Sequence, residues 1–281
     1  MNYDTIVVCG GGCYGGYYVR QLARARAAGA LHYQRIVVVD RDASCRVAQL
    51  IHAIARRDAV GIKSHGWRLR RADDPAAVAA DDGCYDGLPI TFELGAWVPF
   101  FERWFAQAIE RDATASSDAV VPSPLMPNLL ADWVASRLTA HSGDVTVRRV
   151  PVTVAPHTPW SRTGADDSHY ASFATWMCPI NCIEPPRCPE TRAPRDWTMP
   201  AAVRDAVGRA TELGSPYDVV ALFRTTHRAY GVGMFDVTDA LAADAAIRAA
   251  RGDARRVLVA SVSHCHGAMA ELVTQNEPVP H

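Results

Sequence analysis

The feature that most restricts the fold is a glycine-rich turn near the start of the chain, Gly10-Gly11-Gly12-Cys13-Tyr14-Gly15. It directly follows an apolar, β-branched run at residues 5–9, which is typical of a buried strand. A helical pattern follows at residues 17–28, and a second buried-strand pattern at residues 35–39 ends at Asp40. This order predicts a βαβ unit with two parallel strands.

The same alternation continues to residue 150. Helix patterns at residues 44–56, 96–110 and 129–138 alternate with strand patterns at 118–121 and 145–150. Alternating strands and helices favour an α/β fold with a doubly wound parallel sheet. We therefore predict a first domain over residues 1–150.

The remainder, residues 151–281, changes in character. Residues 151–200 contain nine prolines and three cysteines, so we expect an irregular Pro/Cys-rich segment with little regular structure. After it the patterns predict a helix at 200–213, a hairpin of 218–224 with 229–237, a helix at 239–250, a strand at 256–262 and a last helix from Ala268. We read this part as a smaller α/β portion that completes a substrate or metal site.

Composition excludes several classes of function. The net charge of -1 provides no positive field for nucleic acid, and no apolar stretch reaches the roughly 20 residues of a membrane span. The N-terminus lacks the pattern of a signal peptide, so we expect a cytoplasmic protein with reduced thiols. The one lysine, Lys63, stands outside any P-loop pattern, which argues against kinase-like and pyridoxal phosphate chemistry.

The glycine turn fits Gly-x-Gly-x-x-Gly between a strand and a helix, and in this context it resembles the Rossmann dinucleotide-binding family. The resemblance implies that Gly10 forms the tight turn, Gly12 lets the backbone approach a pyrophosphate and Gly15 lets helix and strand pack closely. It also implies that Asp40 binds the adenosine ribose hydroxyls. A carboxylate there repels a 2′-phosphate, which favours NAD over NADP; S-adenosylmethionine stays an alternative.

A cysteine cluster is the most unusual segment. Cys178, Cys182 and Cys188 fall within eleven residues on a proline-rich loop. Thiolates held close together repel one another and a cation relieves that repulsion, so the segment predicts a soft-metal site. Cys265 is the natural fourth ligand. The candidates are an iron–sulfur cluster, zinc, or no metal, because the spacing matches neither standard ferredoxins nor Cys-x2-Cys zinc sites.

Histidines beside the fourth cysteine are the candidate catalytic residues. His264 and His266 flank Cys265, and either could act as a general acid or base or as a ligand. His169 is a further histidine for proton transfer. Weaker candidates on the cysteine loop are Glu184, as an acid, and Arg192 with Arg195, as a clamp for an anionic substrate.

These features predict an NAD-dependent oxidoreductase that acts on a small, anionic substrate, with the thiol site near the nicotinamide end. Two alternatives stay open: an NAD-binding redox sensor, and a non-redox metal-dependent enzyme with a structural nucleotide. We expect no nucleic-acid or membrane partner, and the sequence leaves homo-oligomerisation open.

Overall fold

The computed structural model describes residues 1–60, 87–110, 117–124, 126, 128–142, 145–178, 182–250 and 255–276. The helices are α1 Cys13–Ala27, α2 Arg46–Val60, α3 Trp97–Glu110, α4 Leu129–Ser142, α5 Met199–Glu212 and α6 Val237–Ala249. The strands are β1 Asn2–Cys9, β2 His32–Asp40, β3 Ile90–Leu94, β4 Ala119–Val121, β5 Val145–Val150, β6 Trp160–Thr163, β7 His169–Ser172, β8 Val219–Arg224, β9 Thr226–Ala229, β10 Val232–Asp236, β11 Arg256–Val262 and β12 His266–Asn276.

The first sheet has the strand order β3-β2-β1-β4-β10-β9. Strands β3, β2, β1 and β4 are mutually parallel, as expected for β-branched runs that are buried on both faces. Strands β10 and β9 extend the sheet in antiparallel fashion. The expectation of a wholly parallel sheet is therefore wrong at this end, because two strands from the far part of the chain complete it.

The second sheet has the order β6-β7-β12-β11-β8, with β5 also paired to β12. Strands β8 and β11 are parallel, and β12 is antiparallel to β11, β5 and β7. Strand β5 was expected in the parallel sheet and instead joins this one. Each sheet thus takes strands from both sides of residue 150, and a division into domains at that residue stays a prediction.

Three hydrophobic clusters show that the elements form five layers. Helices α1 and α2 cover the outer face of the first sheet, and α5 covers the outer face of the second. Helices α3, α4 and α6 fill the space between the sheets. Aromatic rings connect this middle layer to both sheets. The ring centroid of Trp133 on α4 lies 4.8 Å from that of Phe105 on α3 and 6.2 Å from that of Phe223 on β8. The centroid of Phe223 lies 5.6 Å from that of Phe235 on β10. The aromatic helix predicted at residues 96–110 is thus confirmed as a core element.

Two further predictions in the second half are wrong. The segments 218–224 and 229–237 do not form a hairpin: β8 pairs with β11, and β10 pairs with β4 and, across the Tyr230–Gly231 turn, with β9. The expected last helix from Ala268 is instead strand β12. Alanine, methionine, glutamate and leucine favour a helix locally, but this segment has strand partners on both sides, and tertiary pairing overrides local propensity.

Strand β9 is held to the first strand of the chain by Arg228. Its guanidinium forms a two-pronged contact with the Asp236 carboxylate, at 2.5 and 2.6 Å, and donates to the Tyr3 hydroxyl at 2.5 Å.

The strand orders and the helices between them establish the α/β class, with two mixed sheets. Within the described ranges, no helix combines the length and the apolar character that crossing a membrane requires.

Glu271 of β12 generates a prediction about acid stability. Burial acts to raise the pKa of this carboxyl, but Arg256, the Thr153 amide and the Tyr217 hydroxyl stabilise the ionised form and lower it. A lowered pKa stabilises the fold above the unfolded value near 4.5, and this contribution is lost as the pH falls through the folded pKa. We expect Glu271→Gln to lower the free energy of unfolding by about 2 kcal/mol at pH 7.

The measurement is urea unfolding between pH 3 and 8, with the exposed Glu212→Gln as control. The difference between wild type and Glu271→Gln should shrink below the unfolded pKa. A difference that stays constant across this range would contradict the role given to the Glu271 charge.

Candidate functional site

The glycine turn at the end of β1 depends on one unusual backbone angle and one close approach between backbone atoms. Gly10 has φ +91°, a conformation that side chains rarely adopt. A Cβ atom at Gly15 would lie 1.8 Å from the Gly10 carbonyl oxygen, so any larger residue would push α1 away from the turn. At Gly12, in contrast, a Cβ atom would meet nothing within 4 Å. The turn therefore packs tightly underneath and leaves open space above Gly12.

Helix α1 begins directly at this open space. Its N-cap is Gly12, which supplies no side-chain cap, and the first turn carries no acidic residue. The first amides of a helix have no acceptor within the helix, and the helix dipole adds partial positive charge there. The start of α1 thus suits an anion in the space above Gly12.

Asp40, at the end of β2, lies against the same turn. Its Oδ2 accepts from the Gly11 amide at 2.6 Å and its Oδ1 accepts from the Asp42 amide at 3.0 Å. An ionised carboxylate offers about four acceptor positions, so each oxygen keeps one for a ligand. The indole of Trp97 donates to the Val39 carbonyl at 2.8 Å, which places its ring beside Gly10. The predicted residues Gly10, Gly12, Gly15 and Asp40 are therefore brought together.

The edge of the first sheet that carries this turn also carries His227 of β9. Val8 pairs with Val121, and the β4–β10 register places Met234 opposite Val121. Met234 in turn pairs with Thr226, the residue before His227. Val8 and Thr226 thus lie in one row, three strand spacings or roughly 14 Å apart. The glycine turn comes just after Val8 and His227 just after Thr226, so both lie on the same side of this row, toward the carboxyl end of β1.

Among the residues that the structure describes, the four predicted metal ligands come within electrostatic range of one another but not into an arrangement that holds a metal ion. Cys178, Cys182 and Cys188 lie on the loop before α5, and Cys265 lies in the turn between β11 and β12. Burial raises the pKa of the Cys178 thiol, and the other three cysteines raise it further by charge repulsion, so all four lie within electrostatic range. In the described parts of the chain, no three His, Cys, Asp or Glu side chains form a group arranged to hold a metal ion.

Glu184 attaches the cysteine loop to the turn that carries Cys265. Its Oε1 accepts from the Ser263 hydroxyl at 2.7 Å and from the Cys265 amide at 3.1 Å. Its Oε2 accepts from the His264 amide at 3.0 Å and contacts Nδ1 of His227 at 3.1 Å. Burial acts to raise the pKa of Glu184, but these donors hold it at about 2. Glu184, considered in the sequence as a weak acid candidate, is an ionised anchor.

The backbone at Glu184 is itself unusual. Its φ of +48° places a non-glycine residue in the left-handed region, which costs roughly 1–2 kcal/mol. Such a conformation persists where surrounding contacts over-determine it, and here the four donors to the carboxylate do so.

Among the four thiols, Cys188 has surroundings that favour the thiolate form, whereas burial raises the pKa of Cys178 and of Cys265. Backbone amides after Cys188 donate to its sulfur and lower the pKa of that thiol, an arrangement that suits a metal ligand. The Arg195 guanidinium lies 3.7 Å from the Cys182 sulfur. Burial acts to lower the pKa of Arg195, but attraction to Cys265 and Cys182 raises it. Arg195, predicted as a substrate clamp, is thus a countercharge within the cysteine cluster.

A cleft of about 180 Å³ opens beside Glu184. Its walls include His227, His264, Arg224, Thr225 and Ile183. Sequence reasoning missed His227, because the run Thr225–Arg228 was interpreted as a hairpin loop and no neighbouring motif marked it. Only the pairing of β9 with β10 brings His227 to Glu184.

The predicted histidines occupy different environments. His264 lines the cleft, and its Nε2 is a buried atom without a hydrogen-bond partner in the described residues. His266 begins β12 and its Nδ1 lies 3.0 Å from the Ser172 hydroxyl, while burial lowers its pKa. His169 is buried in β7, and burial lowers its pKa as well. Arg192 is exposed at the outside of the loop.

A family model described as "AF_1314_C: Uncharacterized protein, C-terminal domain" matches residues 130–275. The chain belongs to this family. The AF_1314_C match covers about half of the chain and contains the second sheet, the four clustered cysteines, Glu184 and His227, whereas the glycine turn lies outside it. Neither a curated protein nor a solved structure matches the chain.

The anchoring role of Glu184 is open to a direct test. In Glu184→Gln the amide group would face one of the backbone or side-chain donors that the carboxylate now accepts. We expect a loss of about 2 kcal/mol in the free energy of unfolding and faster alkylation of the buried Cys265 thiol by iodoacetamide. Glu190→Gln, an exposed glutamate on the same loop, is the matched control. Unchanged stability with unchanged Cys265 labelling would refute the anchor.

Proposed function

We propose that this chain is an NAD-dependent oxidoreductase whose first sheet is a Rossmann-type dinucleotide-binding unit. The parallel order β3-β2-β1-β4, with helices on both faces, supports this assignment. In such a sheet the chain leaves β1 toward β2 on one side and reaches β4 on the other, which opens a crevice at the carboxyl ends of β1 and β4. The glycine turn lies at that crevice.

The single observation that carries the proposal is the contrast between Gly15 and Gly12. Gly15 admits no side chain because the Gly10 carbonyl fills its space, whereas the space at Gly12 is open. Close packing below and an open approach above are the two requirements of a pyrophosphate cradle. We assign the pyrophosphate to the amides at the start of α1.

NAD is favoured over NADP by the position of Asp40. The carboxylate lies at the carboxyl end of β2, beside Gly11, where the adenosine ribose of a bound dinucleotide is expected. Its remaining acceptor positions suit ribose hydroxyls, and its charge opposes a 2′-phosphate. The exposed neighbour Arg41 is a feature that would favour NADP.

The cysteine cluster is proposed as a thiolate site for an iron–sulfur cluster, with zinc as the alternative. Cys178, Cys182, Cys188 and Cys265 would hold the group, and the amide donors at Cys188 and the Arg195 charge fit thiolate ligands. Bound there, an iron–sulfur cluster would supply electron transfer, whereas zinc held by all four thiolates would have no open position and would stabilise the loop. The substrate is proposed to be small and anionic.

Gly12 allows dinucleotide binding to be tested without disturbing the fold. Gly12→Val places a branched side chain in the open space, and the melting temperature shows whether valine is accommodated at φ -74° and ψ -149°. We expect calorimetry to show NAD binding to the wild type and at least a tenfold loss in Gly12→Val, with an unchanged melting temperature. Gly208→Ala, in open space on α5, is the control and should bind normally.

Asp40→Asn extends this test to cofactor choice. Removing the Asp40 charge should reduce the ratio of the NADP dissociation constant to the NAD dissociation constant, measured by the same calorimetry. Absence of binding heat for either dinucleotide with the wild-type protein would refute the proposed function at its base.

Metal content tests the thiol site separately. We expect anaerobically purified protein to contain iron and acid-labile sulfide in stoichiometric amounts, and Cys182→Ser to lose most of both. The control is Cys13→Ser, an exposed cysteine outside the loop. Stoichiometric zinc in a colourless sample would select the alternative, and protein free of both metals would refute the site.

A further inference from the structure

We propose that the cleft beside Glu184 binds a small carboxylate, with Arg224 pairing its charge and His227 hydrogen-bonding a second oxygen. That this carboxylate is the substrate rests on the proposed oxidoreductase function. The binding of a carboxylate in the cleft does not depend on the dinucleotide. The position is suitable, since the cleft lies at the carboxyl end of β8 and on the sheet edge that carries the glycine turn.

His227 is fixed in orientation by Glu184. An ionised carboxylate only accepts hydrogen bonds, so Nδ1 of His227 carries the hydrogen that it donates to Oε2. The ring then has Nε2 as the nitrogen for a ligand in the cleft. Glu184 itself cannot serve the ligand, because its two oxygens already have four donors in Ser263, His264, Cys265 and His227.

Arg224 provides the charge. It ends β8, and its backbone amide donates to Oδ2 of Asp239 at 3.0 Å, which fixes the main chain where the side chain enters the cleft wall. A planar guanidinium pairs through two hydrogen bonds with carboxylate and with phosphate alike, so Arg224 selects for negative charge, and the size of the cleft and the second oxygen at His227 select the small carboxylate. The acid in the cleft wall, Glu184, keeps its negative charge, but its two oxygens are directed at its own donors, and Arg224 is the arginine in the cleft lining.

His264 supplies an independent sign that a ligand belongs here. Its Nε2 is buried in the cleft wall, and in the described part of the chain no protein group bonds to it. Buried polar atoms are rarely left unsatisfied, and each such atom in a native fold needs an explanation. Because Nε2 is closed to solvent, a ligand oxygen reaches it only when the His264 ring turns toward the cleft.

The volume limits the size of the ligand. About 180 Å³ is the space of roughly six water molecules, at about 30 Å³ each, and is below the range of drug-sized pockets. A carboxylate of two to four carbons with a neighbouring hydroxyl or carbonyl oxygen fits this space. In this arrangement the ligand carboxylate pairs with the Arg224 guanidinium, and its neighbouring hydroxyl or carbonyl oxygen hydrogen-bonds to His227.

The test uses glycolate as the probe, glycolamide as its neutral counterpart of equal size, and inorganic phosphate as a tetrahedral anion. Binding to the protein without dinucleotide is measured by saturation-transfer NMR titration on the CH2 protons of glycolate and glycolamide, and phosphate, which has no such protons, is measured by its competition against glycolate. We expect glycolate to bind at least tenfold more tightly than glycolamide or phosphate. Arg224→Gln should weaken glycolate binding at least tenfold, Arg224→Lys should restore part of it, and His227→Gln should weaken it several-fold.

The controls separate this site from the dinucleotide site. Arg204→Gln, an exposed arginine on α5, should leave glycolate binding unchanged, and Gly12→Val should abolish NAD binding while leaving glycolate binding intact. Melting temperatures show which variants are folded. Equal binding of glycolate and glycolamide, tighter binding of phosphate, or wild-type affinity in folded Arg224→Gln would each overturn the carboxylate site, whatever the outcome for NAD.

Discussion

The arrangement of the candidate site depends on one buried carboxylate. Glu184 lies between two cysteines of the proline-rich loop, and its oxygens accept from the turn that carries Cys265 and from His227. The cysteine loop, the β11–β12 turn and strand β9, which are far apart in the chain, are thereby fixed to one another. A buried charge with four donors is stable as an ion, and the loss of any donor would leave part of that charge unpaired.

The exchange of strands between the two sheets gives this carboxylate its partners. A single residue, Thr225, separates β8 of the second sheet from β9 of the first. Arg224 therefore remains at the edge of one sheet while His227 belongs to the other, and both line the same cleft. The aromatic contacts through α4 hold the sheets at the separation that this crossing requires. In our proposal the crossing connects the dinucleotide edge to the substrate cleft.

The local elements were largely predictable, and their partners were not. Residues 5–9, 35–39 and 256–262 are confirmed as strands, because β-branched runs bounded by glycine or polar residues have one favourable state. The segment from Ala268 was assigned the wrong state, since its residues favour a helix until β5, β7 and β11 pair with it. In the site, the cysteines and glycines were found from their spacing, whereas His227 and the anchoring role of Glu184 have no sequence signature.

The sequence by itself determined the glycine turn. The close packing of α1 on β1 requires glycine at position 15, because a side chain there would meet the Gly10 carbonyl oxygen. Both residues lie within the first fifteen, so their spacing in the sequence is enough to predict this contact. Only the tertiary structure decided which side chains share the cleft. Arg224, His227 and Glu184 meet there because strands from distant parts of the chain pair across two sheets, and the energy of that pairing comes from burying the helical layer between them.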